Sequence, residues 1–379
     1  MPPKLLYLVT EDYYFWSHRL PMARAAQAAG FDVAVAGRVD RHREQLEAAG
    51  FSVHPLGWRR QDNGLWATLR AILEIAALYR RERPDIVHHV ALKPVILGGL
   101  AARLSLVPAE VNSLTGLGFV FIGDSTSKRL MRRLIRFVLN RCASRLIVQN
   151  HDDHAFLVGH DFIEAGRVTV IRGSGVDIDH YRALTEPVTV PITVAYVGRM
   201  LEDKGVHTLV EAHRLVRERG VELRLLLVGQ PDNENPTSIP ESTLRCWAAR
   251  PGLEWRGFVA DVRSVWAEAH FAVLPSRREG LPKSLLEAAA CGRAMVATDV
   301  PGCREIARPG ENALLVPADD PASLAEAMIT LACNPELRAS FAAASRALVL
   351  SDLANAAVGA RTIEVYRTLL ADQRTSRTT

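Results

Sequence analysis

The 379-residue chain has few cysteines, no long apolar runs and little excess of either charge, and each shortage excludes something. Cysteine occurs five times, at 142, 246, 291, 303 and 333, an odd and scattered set with no CxxC pair. That pattern is neither a disulfide framework nor a zinc site, and it fits a reducing compartment. No stretch approaches the ~18 uninterrupted apolar residues of a membrane-spanning helix. The opening Met1-Pro-Pro-Lys-Leu-Leu-Tyr-Leu-Val runs straight into Thr-Glu-Asp, too short an apolar run for a secretion signal. The 46 Lys and Arg against 42 Asp and Glu leave a net charge of +4, too balanced for a dedicated nucleic-acid binder. These absences predict a cytoplasmic chain with no nucleic-acid partner.

The charge that is present is unevenly placed. Residues 1–186 hold 24 basic and 19 acidic side chains, a net of +5, and the rest hold 22 and 23, a net of −1. Short apolar strands alternate with helical spacing in both halves. Strands are predicted at 5–9, 33–36, 85–89, 111–112 and 145–149, then at 193–197, 223–228, 255–258, 271–274 and 294–297. The helices predicted between them include 66–81, 95–104, 128–143 and 206–219. Such alternation implies parallel sheets covered on both faces. Residues 183–191 (Ala-Leu-Thr-Glu-Pro-Val-Thr-Val-Pro) have two prolines and no periodicity, and are predicted to link the two series. The division expected is a Rossmann-like domain over 1–183, a second over 192–350, and a helix and tail over 351–379 that packs back on the first domain. The last helix is placed at 355–370 and the polar stretch 374–379 is left outside it. Ligands bind beyond the C-terminal ends of such strands, so the loops there carry the candidate sites.

Two motifs carry chemistry. In Pro275-Ser-Arg-Arg-Glu279-Gly280-Leu-Pro282-Lys-Ser-Leu-Leu-Glu287-Ala-Ala-Ala-Cys-Gly292, a strand gives way to a loop and then a helix opened by proline and closed by glycine. The helix start offers unpaired N–H groups to an anion. Glu279 and Glu287 can each accept hydrogen bonds from a pair of hydroxyls, which suits a sugar nucleotide. In Tyr196-Val-Gly198-Arg199-Met-Leu-Glu-Asp-Lys204-Gly205, Arg199 can fork onto a phosphate and Lys204 act as a point charge. An ordinary strand–loop–helix with solvated charges has the same spacing, and Arg199 and Lys204 pairing with Glu202 and Asp203 would be its counterpart. No GxxxxGK[ST] occurs, and no GxGxxG follows the first strand.

Together with Arg172-Gly-Ser-Gly-Val-Asp177, these motifs resemble the retaining GT-B glycosyltransferases of family 4. The resemblance implies an α/β fold of two Rossmann-like domains with parallel sheets facing a central cleft. It further implies that the second domain holds a UDP-sugar through Gly198, Arg199, Lys204, Phe258, Val259, Glu279, Gly280, Leu281, Pro282, Lys283 and Glu287. Within that set Arg199 and Lys204 bind the diphosphate, Glu279 the sugar hydroxyls and Glu287 the ribose, and Gly257-Phe258-Val259 lines the base. Phe15-Trp16-Ser-His18-Arg19-Leu-Pro21, His88-His89-Val-Ala-Leu-Lys93-Pro94 and Asn112-Ser-Leu-Thr115-Gly-Leu-Gly-Phe-Val-Phe-Ile-Gly123 resemble a bacterial subgroup that adds N-acetylhexosamines to undecaprenyl-diphosphate-linked sugars. The catalytic set expected is His18, Arg199, Lys204 and Glu279. The acceptor set is His18, in the loop expected after the first strand, with His88, Lys93 and Thr115. No cofactor and no metal are expected, and Asp177-Ile-Asp179, which matches the Asp-x-Asp metal motif formally, reads as a turn.

The segment 128–141 (Lys-Arg-Leu-Met-Arg-Arg-Leu-Ile-Arg-Phe-Val-Leu-Asn-Arg) has six basic residues and no acidic one. Leu130, Leu134, Phe137 and Val138 fall on one side of it. A basic amphipathic helix of this kind suits an anionic membrane surface, with Lys128, Arg129, Arg132, Arg133 and Arg136 as contacts and the apolar loop 117–122 beside them. A scaffold helix with solvated arginines is the alternative. The expected location is the inner face of the cell membrane. A UDP-sugar 2-epimerase of the same fold and a two-domain sugar-binding protein remain as rival functions.

Overall fold

A computed structural model describes residues 2–58, 64–117, 121, 125–232 and 234–378. The chain divides into two compact units, Met1–Gly175 with Asn355–Thr379, and Val176–Ala354.

Unit 1 runs β1 (Lys4–Glu11), α1 (Asp12–His18), α2 (Leu20–Ala28), β2 (Asp32–Arg38), α3 (Arg43–Ala48), β3 (Ser52–Pro55), α4 (Leu65–Glu82), β4 (Ile86–Val90), α5 (Leu92–Leu104), β5 (Ala109–Leu114), α6 (Thr126–Leu139), β6 (Ser144–Val148), α7 (His151–Gly159) and β7 (Val168–Val170). The strands pair in parallel in the order β3-β2-β1-β4-β5-β6-β7. Leu5, Leu6, Tyr7, Leu8 and Val9 are all buried, the continuous apolar run that a central parallel strand needs. Helices α4, α5 and α6 cover one face of the sheet with Ile72, Ile75, Val95, Ala101, Ile135 and Val138. The other face is covered by Met22 and Ala26 of α2 together with Val358, Ile363, Tyr366 and Leu369 from the end of the chain.

Unit 2 runs β8 (Ile192–Val197), α8 (Val206–Glu218), β9 (Leu223–Val228), α9 (Glu241–Ala248), β10 (Leu253–Trp255), α10 (Arg263–Glu268), β11 (Phe271–Leu274), α11 (Lys283–Ala290), β12 (Ala294–Thr298), α12 (Pro301–Arg304), β13 (Ala313–Val316), α13 (Pro321–Cys333) and α14 (Pro335–Leu348). Its parallel order is β10-β9-β8-β11-β12-β13. Helix α15 (Asn355–Thr378) then returns the chain to unit 1. In both sheets the order reverses beside the first strand, between β1 and β4 and between β8 and β11. Crevices for ligands open at such reversals.

Several sequence expectations need correction. The boundary falls at Gly175–Val176, ahead of 183–191. That stretch is held to unit 2: Leu184 N–H bonds Cys291 O at 3.0 Å, and the buried Arg293 donates to the carbonyls of Leu184 and Thr185. Residues 12–18 form α1 instead of a loop, and α15 continues through the polar stretch to Thr378. The strand expected at 255–258 is Leu253–Trp255, because Gly257 turns the backbone to φ +63°.

Candidate active site

Two loops meet at the reversal in unit 2. After β8 the chain turns through Gly198 and Arg199 into a 3-10 turn, Glu202–Lys204, and Gly205 at φ +69° starts α8. A Cβ at Gly205 would lie 2.0 Å from Pro275 O, so only glycine lets this turn rest on the loop leaving β11. The consequence is an ion pair across 75 residues of sequence: Lys204 Nζ donates to Glu279 Oε1 at 2.5 Å. Both side chains are largely withdrawn from solvent, which strengthens the attraction. From the other side Gly302 presses on the same loop, since a Cβ there would sit 2.5 Å from the carbonyls of Glu279 and Gly280.

The Tyr196 hydroxyl donates to Arg199 O at 2.8 Å. Burial, reinforced by the charge of Glu279, pushes that hydroxyl well above its ordinary pKa. The Arg199 guanidinium is turned toward Asp232, at 2.8 Å. The structure therefore joins Lys204 and Glu279 directly and sets the Arg199 backbone beside Tyr196, while Asp232 holds the Arg199 charge.

Helix α11 begins after the β11 loop with Pro282 at its N-cap and Lys283 as its first residue. One turn on, Glu287 is buried, accepting from the Tyr181 hydroxyl at 3.0 Å and lying 3.6 Å from Lys283 Nζ. Burial raises its carboxyl above the usual range, with Lys283 and the Tyr181 hydrogen bond pulling it back. Leu281 packs partly buried against the core. Beside the ends of β9 and β10, Gln230, Pro231, Ser238, Ile239, Trp255 and Gly257 line a cavity of about 590 Å³. It adjoins Asp232, the partner of Arg199. Phe258 is exposed, and Val259 packs partly against the core. Asp177 Oδ1 accepts from the N–H groups of Asp179 and His180, which makes the Asp-x-Asp a turn.

In unit 1, His18 ends α1, Lys93 lies in the first turn of α5, and Thr115 follows β5. Lys93 and Thr115 follow the C-terminal ends of the neighbouring strands β4 and β5, while His18 lies a whole helix beyond the end of β1. His18 stacks on Tyr14 at 4.5 Å and its Nδ1 meets Ser17 Oγ at 2.7 Å. Lys93 Nζ stands 5.8 Å from the centre of the buried Trp58 ring. His88 does not join them. It is buried within β4, with Nδ1 on Tyr366 Oη and Nε2 on Ser113 Oγ, both at 2.6 Å. Burial drives its pKa well below the ordinary value, so it is a neutral core group with both nitrogens engaged, unavailable to an acceptor.

Helix α6 is also arranged differently from its sequence reading. Ile135, Val138 and Leu139 face the core, while Leu130 and Phe137 lie outside with Arg129, Arg133 and Arg136. Lys128 N–H is capped by Ser125 Oγ, and Arg132 is only partly exposed. In the segment 112–123, residues 118–120, 122 and 123 lie outside the described residues, and with them most of the apolar loop 117–122.

Residues 4–150 match the family described as glycosyl transferase 4-like, and residues 191–334 match glycosyl transferases group 1. The chain is a glycosyltransferase of this family. This glycosyltransferase is 22% identical over 382 residues to the capsular polysaccharide biosynthesis glycosyltransferase CapM of Staphylococcus aureus, covering 97% of each chain. It is 25% identical to the N,N'-diacetylbacillosaminyl-diphospho-undecaprenol alpha-1,3-N-acetylgalactosaminyltransferase of Campylobacter jejuni, over 87% of this chain and 89% of that one. Among solved structures, Anabaena Alr3699/HepE in complex with UDP superposes with a TM-score of 0.78 at 19% identity, covering 96% of this chain and all of that one. The fold of the glycosyltransferase is GT-B.

No sequence signal marks Asp232 or Tyr181. Neither belongs to a spacing pattern, and each is brought to its partner only by the sheet order.

Proposed function

We propose that the enzyme moves an N-acetylhexosamine, of GalNAc or GlcNAc type, from a UDP-sugar to a polyprenyl-diphosphate-linked saccharide with retention, in bacterial surface or protein glycan assembly. The contact between Lys204 and Glu279 at the strand reversal carries this reading. It sets a cation for a diphosphate beside a carboxylate for sugar hydroxyls, next to the start of α11. The named substrates of the Campylobacter relative and the UDP bound to HepE support the choice of acceptor and donor.

In this reading Lys204, the amides at Gly280–Lys283 and Arg199, once phosphate replaces Asp232, stabilise charge on the departing UDP. Glu279 accepts from the donor sugar and Glu287 from the ribose, with Phe258 and Val259 beside the base. His18, Lys93 and Thr115 hold the acceptor. The acceptor oxygen attacks the anomeric carbon on the face that the diphosphate leaves, and its proton passes to a departing phosphate oxygen. With these cations supplying the charge, transfer should continue undiminished in a chelator. A lipid-linked acceptor brings unit 1 to an anionic membrane surface, which the arginines of α6 suit.

The test is transfer from UDP-GalNAc and UDP-GlcNAc to a short-chain polyprenyl-diphosphate saccharide, with the product anomer read by NMR. Lys204→Ala and Glu279→Ala should each lower kcat/KM by about 10²–10³-fold, the range for losing one preorganised stabilising contact. Near-wild-type turnover in either variant, an inverted product, or epimerised UDP-sugar formed without acceptor would overturn the proposal.

A further inference from the structure

Helix α4 buries Ala71, Ile72, Ile75, Ala76, Leu78 and Tyr79 against the sheet, a sufficient core face for one helix. Yet its opposite side is apolar as well. Trp66 is 81% exposed, Leu73 53% and Leu69 44%, and Leu65 at the helix start is exposed too. The spacing 66, 69, 73 puts these side chains on one stripe, where with Arg70 and Glu74 they line a surface recess of about 500 Å³. Single exposed leucines need no explanation, but a contiguous stripe headed by tryptophan does.

Because α4 and α6 both pack on the same face of the sheet on either side of α5, their outer sides look the same way. That of α6 presents Leu130 and Phe137 among Arg129, Arg133 and Arg136. Arg70 and Arg80 are exposed on α4, and no acidic side chain is fully exposed on either helix. Glu74, beside the stripe, accepts from Gly57 N–H at 2.9 Å.

We infer that the Trp66–Leu69–Leu73 stripe and the arginines of α6 form one docking face for an anionic phospholipid surface, the apolar side chains entering the interface and the cations meeting headgroups. Two features favour lipid over a second copy of this chain. A two-fold dimer buries the patch of both copies together, which here would take the α6 arginines out of water with no fully exposed carboxylate on either helix to pair them. Tryptophan with flanking arginine is also the composition of an interfacial helix. The inference rests on the lipid-linked acceptor proposed above and adds the surface from which that acceptor would be met.

The experiment is co-sedimentation of the whole protein with phosphatidylcholine vesicles, with and without phosphatidylglycerol. Wild type should bind the anionic vesicles, and weaken with salt. The triple variant Trp66→Ser, Leu69→Ser, Leu73→Ser should bind at least roughly tenfold more weakly, since the apolar area it would bury is gone. Arg129→Gln with Arg133→Gln and Arg136→Gln should abolish the preference for anionic lipid, each cation near such a surface being worth roughly fivefold. If the triple variant melts early, Trp66→Ser alone serves, its side chain being four-fifths exposed. Equal binding by wild type and stripe variants overturns the inference. So does wild-type self-association that the stripe variant loses in the absence of vesicle binding. Transfer to a water-soluble short-chain acceptor should be unchanged in the stripe variant. Its absence in wild type would count against the proposed reaction, whatever the vesicles show.

Discussion

At the scale of single residues, burial and neighbouring groups set the ionisation of two carboxylates, one in the candidate site and one in the core of unit 1. Glu287 is raised by burial and held down by Lys283 and the Tyr181 hydroxyl. Tyr181→Phe removes one of the two restraints, so the carboxyl should rise further and the acid limb of kcat/KM for the donor should move to higher pH. Kinetics against pH in both proteins will check this. Glu110 is a second case. It is buried in unit 1, with Arg141 at 3.2 Å from one oxygen and no hydrogen-bond partner among the described residues on the other. Burial pushes its pKa up to about 7 from 4.5, against the pull of Arg141 and Arg103. The native state then holds a proton that the unfolded chain has released, so this contribution is complete below 4.5 and is lost as pH rises through about 7. Thermal melting from about pH 6 to about pH 8 should show a fall that Glu110→Gln flattens. Lys204, Glu279 and Glu287 stand out as candidates in the sequence because residue type, neighbouring glycine and spacing all point one way, and the structure brings the first two into contact. Asp232 and Tyr181 do not, because contacts spanning 33 and 106 residues are chosen by topology. His88 lies in the core and not with the acceptor candidates for a related reason. A histidine near a strand end is equally suited to the cleft and to the core, and Tyr366, which engages it, lies 278 residues away.

Elements were easier to read than their edges. Buried central strands such as Leu223–Val228 and Phe271–Leu274 stand where their apolar runs predict. Short strands near sheet edges, Ser52–Pro55, Val168–Val170 and Ala313–Val316, went unmarked because they have only three or four residues and carry little pattern. Helix α1 was hidden by an aromatic-rich sequence without a side-chain cap. Helix α6 shows how periodicity alone can mislead: a stripe of four apolar residues is divided between core and surface once the neighbouring helices are in place. Helix α15 makes the clearest prediction at this scale. Its Tyr366 hydroxyl lies 2.7 Å from Tyr7 Oη and 2.6 Å from His88 Nδ1 in a buried chain of hydrogen bonds. Tyr366→Phe leaves both partners unsatisfied in the core and should cost about 1–3 kcal/mol, read from denaturant unfolding.

For the whole molecule, each unit repeats one scheme, a parallel sheet whose order reverses beside its first strand. The pattern of alternating elements carried that architecture. It did not carry the boundary, because prolines at 187 and 191 mimic a linker while Arg293 and Arg338 fasten the stretch to unit 2. A chain cut after Ala354 should lose unit 1 as a stable body, since Val358, Ile363, Tyr366 and Leu369 complete its core. Proteolysis and melting should show unit 2 surviving that cut.

The division has an effect during synthesis as well. Unit 2 is continuous in the chain and can close as soon as it clears the ribosome, whereas the sheet of unit 1, made earlier, must wait with one face only partly covered, by residues such as Met22 and Ala26 of α2, until the whole of unit 2 has been translated. Tyr7 meets its partner 359 residues later, so the half of the enzyme that emerges first is the last to be finished.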